Sequence, residues 1–324
     1  MTFPGSAKSL SAFAGYNSMM FERLPTVPRS QELLDKAFRR ASRYAKSDES
    51  AVMVASNILS DNLANLVRKF PSFKDLPPFY WEIVDIMIGI DDIRIGLSRL
   101  GWASRQIREI RRDSLSNMKR SEETAYFRKA AFGRMSSVIG SIEKDLEFLG
   151  KAREKLRWIP TIDPELPTIL VAGYPNVGKS SFISRVTCAR PEVASYPFTT
   201  KGVFVGHFIH DDQKYQVVDT PGLLDRPFEE RNEMERQSVA ALRHLKGVVL
   251  YIIDPSEYSG YPLESQLRLG EDIKGWIELP VLQVANKSDL ATIEGFLSMS
   301  TLTGDGIQEV QDRLMTLFKS MRSA

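Results

Sequence analysis

Cysteine is almost absent: Cys188 stands alone among 324 residues, so an internal disulfide framework is excluded. It is expected to pack as a small apolar side chain at the end of a helix. Histidine is nearly as scarce. His207, His210 and His244 are the three, and none falls at a metal-ligand spacing with cysteines or carboxylates, so structural roles are expected of them. Long apolar runs are missing too. The longest, Val248 to Ile253, is far too short to span a bilayer, and the first residues lack the apolar stretch of a signal peptide. A cytoplasmic protein with no membrane association is expected. Charge of one sign is also lacking, with 43 Lys+Arg against 41 Asp+Glu. That balance hides an asymmetry: residues 1–160 hold 27 basic against 19 acidic residues, whereas residues 161–324 hold 16 against 22. A basic half points to an anionic partner such as nucleic acid.

The run Gly173-Tyr174-Pro175-Asn176-Val177-Gly178-Lys179-Ser180 lies between an apolar strand, Thr168 to Ala172, and a helix, Lys179 to Val186. Such a turn aims backbone N–H groups and a helix N-terminus at one small volume, which suits phosphate. Gly173 and Gly178 let the backbone wrap closely, Lys179 can reach β- and γ-phosphate oxygens, and the Ser180 hydroxyl can ligate Mg²⁺. Val177, Gly178 and Ser181 complete the set of cradle contacts.

Three further elements follow in the order a GTPase requires. Val217 to Gly222 reads as a strand ending in Asp219, which can hold a Mg²⁺-bound water, followed by Gly222, whose N–H can reach the γ-phosphate. The strand Val281 to Ala285 runs into Asn286-Lys287-Ser288-Asp289, where the Asp289 carboxylate can accept both guanine donors, N1–H and N2–H₂. Adenine offers no such pair, and an unpaired carboxylate would discriminate strongly against it. Ser300, Thr301 and Leu302, after a strand from Phe296 to Met299, would add a backbone N–H toward guanine O6; the usual form has Ala where Thr301 stands. Between the first helix and the strand Val203 to Ile209, Thr199 and Thr200 supply a loop that orders on GTP. Thr200 is the preferred Mg²⁺ ligand and γ-phosphate contact. GTP or GDP with Mg²⁺ is therefore the expected ligand pair, and Lys179, Thr200 and Gly222 are the expected catalytic groups.

The first half reads as helical throughout. Val52, Ala55, Leu59, Leu63, Leu66 and Phe70 form one apolar stripe at three- and four-residue steps, and Ile93, Leu97, Leu100, Ala103, Ile107 and Ile110 form another. A third, Ala131, Met135, Val138, Ile142, Leu146 and Leu149, is expected on one helix starting after Ser121, with Glu122 and Glu123 in its first turn. A shorter helix follows Ser30. Stripes of this width bury against one another in an antiparallel bundle. Pro71, Pro77 and Pro78 mark a loop, and Arg157 to Pro167 a linker, so the domains are expected at 1–160 and 161–324. The second half alternates strands and helices, apart from a hairpin at His210 to Lys214. It predicts an α/β P-loop GTPase domain with a mainly parallel sheet. Between Asp289 and Phe296 only a turn fits, and a last helix runs from Gly306 to Lys319.

The segments GYPNVGKSSFISRVT, YPFTTKGVFVGH, QVVDTPGLLDRP, ANKSDL and STLTGDGI resemble the nucleolar GTP-binding protein 1 family of Obg-type GTPases. LPPFYWEIVDIMIGIDDIRIGLSRL and FRKAAFGRMSSVI are similar to that family's N-terminal helical domain, so the resemblance covers nearly the whole chain. It implies a GTPase acting in assembly of the large ribosomal subunit, with the helical domain engaging ribosomal RNA. The chain stops soon after the last GTPase helix, without the long C-terminal extension of eukaryotic members, which is the layout expected of a minimal, archaeal-like version. Leu223 stands where Ras-like enzymes place the Gln that orients water, so slow intrinsic hydrolysis and an activating contribution from outside are implied. Asn176 resembles the Asn that ligates K⁺ in several GTPases with this replacement; the alternative is that it only stabilises the loop turn. Off the ribosome a monomer is expected.

The RNA contacts are expected on a basic helical face. Arg105, Arg108 and Arg112 share one side of the second long helix, and Arg111, Lys119 and Arg120 extend it. Arg128, Lys129 and Arg134 begin the next helix. The alternative is a set of solvated charges, some paired with Glu109 and Asp113, and a bundle that docks a protein effector instead.

Overall fold

The computed structural model describes residues 21, 23–157, 159, 162–187, 192–194, 203–219, 224–227, 230 and 233–323. The chain divides into two compact units: Met19–Asp75 with Ile88–Arg157, and Leu76–Met87 with Trp158–Ala324.

The helical unit holds α1 (Ser30–Tyr44), α2 (Asp48–Lys69), α4 (Ile90–Met118), α5 (Thr124–Ser141) and α6 (Glu143–Leu156). Between α2 and α4 comes α3 (Pro78–Ile88), which belongs mostly to the other unit. Helix starts follow local chemistry. Ser47 caps α2 by accepting from the Ser50 amide at 3.2 Å, with Asp48 and Glu49 in the first turn and Arg68 and Lys69 in the last, so charges complement the helix dipole at both ends. The α2 stripe Val52, Ala55, Leu59, Leu63, Leu66 and Phe70 is buried throughout. It packs on α4, whose Ile93, Leu100, Ala103, Ile107 and Ile110 are buried. Small side chains bring the two backbones together: the Ser104 hydroxyl donates to Ser60 O at 2.9 Å inside the core. Truncating one of these buried leucines to Ala would cost about 2–5 kcal/mol.

The third stripe departs from expectation. It is carried by two helices, α5 and α6, which break at Ile142 (φ −109°, ψ 12°), and Ile139 rather than Val138 is buried. The apolar period runs across the break without interruption, which is why it reads as one helix. Glu123 is the N-cap residue, so Glu122 and Glu123 precede the first turn instead of occupying it. The Ser121 hydroxyl accepts from the Glu123 amide at 3.1 Å and holds this turn. Pro78 opens α3 instead of lying in a loop, the helical position where a missing N–H costs nothing.

The second unit departs from a boundary at residue 160, because Leu76–Met87 belongs to it. The physical reason is a buried face on α3, Phe79, Tyr80, Ile83 and Val84, together with a hydrogen bond from the Tyr80 hydroxyl to Ile162 O at 2.6 Å. Gly89, at φ +88°, then separates α3 from α4.

A seven-stranded sheet has the order β2-β3-β4-β1-β5-β6-β7. Its strands are β1 (Thr168–Ala172), β2 (Glu192–Ala194), β3 (Val203–His210), β4 (Gln213–Asp219), β5 (Gly247–Ile253), β6 (Val281–Ala285) and β7 (Leu297–Ser298). The β2–β3 and β3–β4 pairs are antiparallel and the rest parallel. Asp211 and Asp212 join β3 to β4 with φ of 49° and 58°, the double left-handed turn that matches strand twist. The expected last strand shrinks from Phe296–Met299 to two residues, and no helix intervenes between Asp289 and Phe296. Helices α7 (Lys179–Val186), α8 (Glu233–Ala241), α9 (Leu263–Trp276) and α10 (Ile307–Ser323) surround the sheet. Phe182, Val186, Val310, Leu314 and Phe318 form one core against Ile169, Val171, Val248, Leu250 and Ile252.

Candidate nucleotide site

Parallel register brings the chemistry to one edge. Val171 of β1 is level with Asp219 at the end of β4, Ile253 of β5 with Ala285 of β6, and Ala285 with Ser298 of β7. The loops that follow β1, β6 and β7 therefore leave the sheet on the same side, outside the carboxyl ends of the strands, where doubly wound sheets bind ligands.

The cradle after β1 depends on backbone conformations that glycine favours. Gly173 has φ +135° and Gly178 φ +105°. A Cβ on Gly173 would collide with Ile252 O, and one on Gly178 with Asn286 Nδ2. The loop thus passes against the neighbouring strand end and against the Asn286 side chain with no room to spare. Asn176 adopts φ +63° with an exposed side chain; Asn is the non-glycine residue best suited to that backbone, which gives the turn-stabilising role a concrete basis. Val177 is buried, and Ser181 is exposed in the first turn of α7. The Lys179 ammonium donates to Gly173 O and Tyr174 O, both at 2.8 Å, so it is held directly over the loop. The Ser180 hydroxyl donates to Asp219 Oδ2 at 2.9 Å. A hydroxyl and a buried carboxylate side by side at the N-terminus of a helix are a hard oxygen donor set that fits Mg²⁺.

The Asn286–Asp289 and Ser300–Leu302 loops are joined to the cradle through Asn286. Its Nδ2 donates to Val177 O at 2.8 Å and to Thr301 Oγ1 at 3.0 Å, and its Oδ1 accepts from the Thr301 amide at 2.9 Å. Thr301, where the usual form has Ala, thus contributes an additional acceptor. The Ser300 hydroxyl donates to Asp289 Oδ1 and accepts from the amides of Leu302 and Thr303, orienting the carboxylate and closing the loop together. Arg185 of α7 donates to Thr301 O and Leu302 O. Asp289 is itself exposed, so the penalty that selects guanine would act only once a base covers it. Thr199, Thr200, Gly222 and Leu223 lie outside the described residues, as does Cys188.

Sequence reasoning missed the support behind this loop. Lys287, at φ +60°, sends its ammonium to Asp254 Oδ2 at 2.6 Å and over the Tyr258 ring at 5.2 Å. Burial acts to raise the Asp254 pKa, but hydrogen bonds from Lys287, Ser256 and Ser259 together with the Lys287 charge outweigh it and hold the carboxyl below its usual range. Gln266 completes the network, accepting from the Asp254 amide at 2.7 Å and donating to Asp254 O at 3.1 Å. The available signal was positional: Asp254 directly follows the wholly buried β5, much as Asp219 closes β4. Tyr174, in the cradle, packs on Tyr261 with centroids 4.5 Å apart. Burial, then the nearby Glu230, raises its pKa. Among the described residues no group of His, Cys, Asp and Glu forms another metal site, and no helix is long and apolar enough to cross a membrane.

Fold and site define a P-loop GTPase domain preceded by an all-α domain. A family model described as the NOG1 N-terminal helical domain matches residues 21–163, and one described as nucleolar GTP-binding protein 1 (NOG1) matches residues 233–289. An uncharacterized protein of Methanocaldococcus jannaschii is 37% identical over 292 residues, covering 85% of this chain and 82% of that protein. The chain belongs to the nucleolar GTP-binding protein 1 family, as an archaeal-like member. The Drosophila melanogaster nucleolar GTP-binding protein 1 is 39% identical over 292 residues, which is 85% of this chain but 45% of that protein. A Plasmodium falciparum crystal structure named for the same protein is 38% identical, covers 51% of this chain and 92% of that one, and has a TM-score of 0.47. The chain spans half or less of the length of the fly, worm and plant relatives.

Proposed function

We propose that the protein is a Mg²⁺-dependent GTP-binding protein and slow GTPase that serves as an assembly factor for the large ribosomal subunit, with its helical domain on ribosomal RNA. The observation that carries the nucleotide reading is the Asn286 side chain, which ties the cradle at Val177 to the base-reading loop at Thr301. Phosphates would lie on the amides of 176–181 and the Lys179 ammonium, and guanine between Asp289 and the 300–302 loop. Ser180 and, through water, Asp219 would hold Mg²⁺, which supplies positive charge to the phosphate oxygens when bound. Thr200 and the Gly222 N–H would sense the γ-phosphate. With Leu223 in place of a water-orienting Gln, turnover is slow and depends on an activating factor met on the ribosome, with K⁺ at Asn176 as a further source of charge. Off the ribosome the protein is a cytoplasmic monomer with no membrane partner.

Support for RNA comes from the exposed face of α4 and the start of α5. Arg105, Lys119, Arg120, Lys129 and Arg134 are exposed and, among the described residues, form no salt bridge. Others are partly engaged: Arg108 with Asp61 at 3.7 Å, Arg112 with Asp113 at 3.6 Å, Arg128 with Asp48 at 2.8 Å, and Arg111 with the Asn57 side chain. The Arg108–Asp61 and Arg112–Asp113 pairs are exposed, and such pairs are weak and exchange readily for phosphate. The test is co-sedimentation of the GTP-analogue-bound protein with purified large ribosomal subunits across salt. Contact with about six phosphates gives a log–log slope of roughly five on a duplex. The Arg105→Glu, Arg108→Glu, Arg112→Glu triple variant should lose binding while keeping GTP affinity. Retained binding with the same slope would overturn the RNA assignment in favour of a protein effector docked on the bundle.

A further inference from the structure

Where the end of α1, the start of α2 and the first turns of α5 converge, the helical unit has a cavity of about 910 Å³. Ala41, Ala45, Ala51 and Ala125 line it, and four short side chains at a three-helix junction leave space that larger ones would fill. On α5, Ala125, Arg128, Lys129 and Phe132 recur at three- and four-residue steps, so one helix face makes a wall. Phe132 is backed by Phe38 of α1, the two rings stacked with centroids 4.5 Å apart. Tyr126 also lines the cavity, yet it is 66% exposed; Phe127 meets its ring at 78° with centroids 5.5 Å apart. The lining sets three basic residues, Lys46, Arg128 and Lys129, against Asp48. Both Asp48 oxygens are taken, Oδ1 by Arg128 at 2.8 Å and Oδ2 by the Thr124 hydroxyl at 2.6 Å. Lys46 and Lys129 are exposed and, among the described residues, form no ion pair.

We propose that this cavity takes one unstacked nucleotide of an RNA, with its base against Tyr126 and its phosphates on Lys46 and Lys129. The proposal rests on the reading that the helical domain engages RNA, and it adds which part of the RNA is held. Lys129 is common to both, lining the cavity and beginning the exposed basic stretch that continues to Arg134. The volume is that of a small-molecule site, ample for a single nucleotide and closed to a duplex. In an A-form duplex the faces of each base are covered by its neighbours. A nucleotide extruded at a bulge or loop exposes them, and proteins hold such bases by aromatic stacking with cations placed for the backbone. An acidic peptide would satisfy the two ammoniums but has no base to lay on the exposed Tyr126 ring, so the aromatic and the lysines together favour a nucleotide.

The probes are two end-labelled RNA hairpins with the same stem, one fully paired and one carrying a single bulged 5-iodouridine, titrated by anisotropy against the whole chain bound to a GTP analogue. The bulged hairpin should bind about tenfold tighter, and irradiation should crosslink its iodouridine to Tyr126, located by mass spectrometry. Tyr126→Ala should remove the preference while keeping affinity for the paired hairpin, and Tyr126→Phe, which retains the ring, should keep the preference. Lys46→Gln should lower the salt slope by about 0.7 for the bulged hairpin only. Equal affinity for the two hairpins, a preference that survives Tyr126→Ala, or crosslinking away from the cavity would overturn the proposal. So would loss of the crosslink to acetyl-hexaglutamate-amide at the concentration at which unlabelled bulged hairpin displaces it, a result that assigns the cavity to an acidic protein segment. If the paired hairpin binds and the bulge adds nothing, the nucleotide pocket alone falls; if neither hairpin nor the large ribosomal subunit binds, the RNA reading falls with it. The hairpin comparison uses the unmodified chain, so its outcome does not depend on how any variant folds.

Discussion

Replacing Asn286 by Ala tests whether the phosphate cradle and the base-reading loop act as one unit. Asn286 is fully buried. The change removes its bonds to Val177 O (2.8 Å), Thr301 Oγ1 (3.0 Å) and the Thr301 amide (2.9 Å). Thr301 Oγ1 sits on a rotatable hydroxyl and can turn to another partner, so the lasting cost falls on Val177 O and the Thr301 amide. Each buried group left unsatisfied costs about 1–3 kcal/mol. Water entering the vacated space would recover part of this, so about 2–4 kcal/mol is expected, roughly 30-fold to several-hundred-fold in affinity if it appears in binding. Titration with a fluorescent GDP analogue measures it, and circular dichroism with urea unfolding separates a folded, weakly binding variant from an unfolded one. Thr301→Ala, which deletes only one acceptor and restores the usual side chain, should cost about 0.5–1.5 kcal/mol. If folded Asn286→Ala binds GDP within threefold of the parent, the two elements do not depend on this side chain and the argument fails.

Asp289→Asn should weaken GTP severely and improve xanthosine triphosphate, whose C2 carbonyl can accept from the new amide; unchanged GTP affinity in a direct titration would remove Asp289 from base reading. For the cation, hydrolysis should run faster in KCl than in NaCl at equal ionic strength, and Asn176→Ala should abolish the difference. Equal phosphate release in both salts would leave Asn176, at φ +63°, only its role in the turn.

What the sequence made legible was local. Thr168–Ala172, Lys179–Val186 and Val281–Ala285 agree with observed elements to the residue, because apolar runs bounded by glycine, lysine and asparagine leave little choice of structure. The cradle glycines were readable for the same reason, since positive φ and close approach both exclude a side chain. What stayed hidden depends on partners far along the chain. Nothing in PFYWEIVDIMI reveals that Tyr80 bonds to Ile162 or that Glu82 bonds to Arg243, so the segment is assigned from sequence to the 1–160 domain although α3 is packed in the GTPase unit. The break at Ile142 escaped because helices on either side keep the same apolar period. Asp254, followed by Pro255, looks like a turn residue until β5 and β6 are set in register. That register brings it to Lys287, and an Asn-Lys-Ser-Asp loop read from its ends then acquires a buried charge pair at its centre. The Lys287 ammonium thereby braces the left-handed turn that leads to Asp289, so the carboxylate proposed to read guanine is positioned by Ser300 on one side and by this pair on the other.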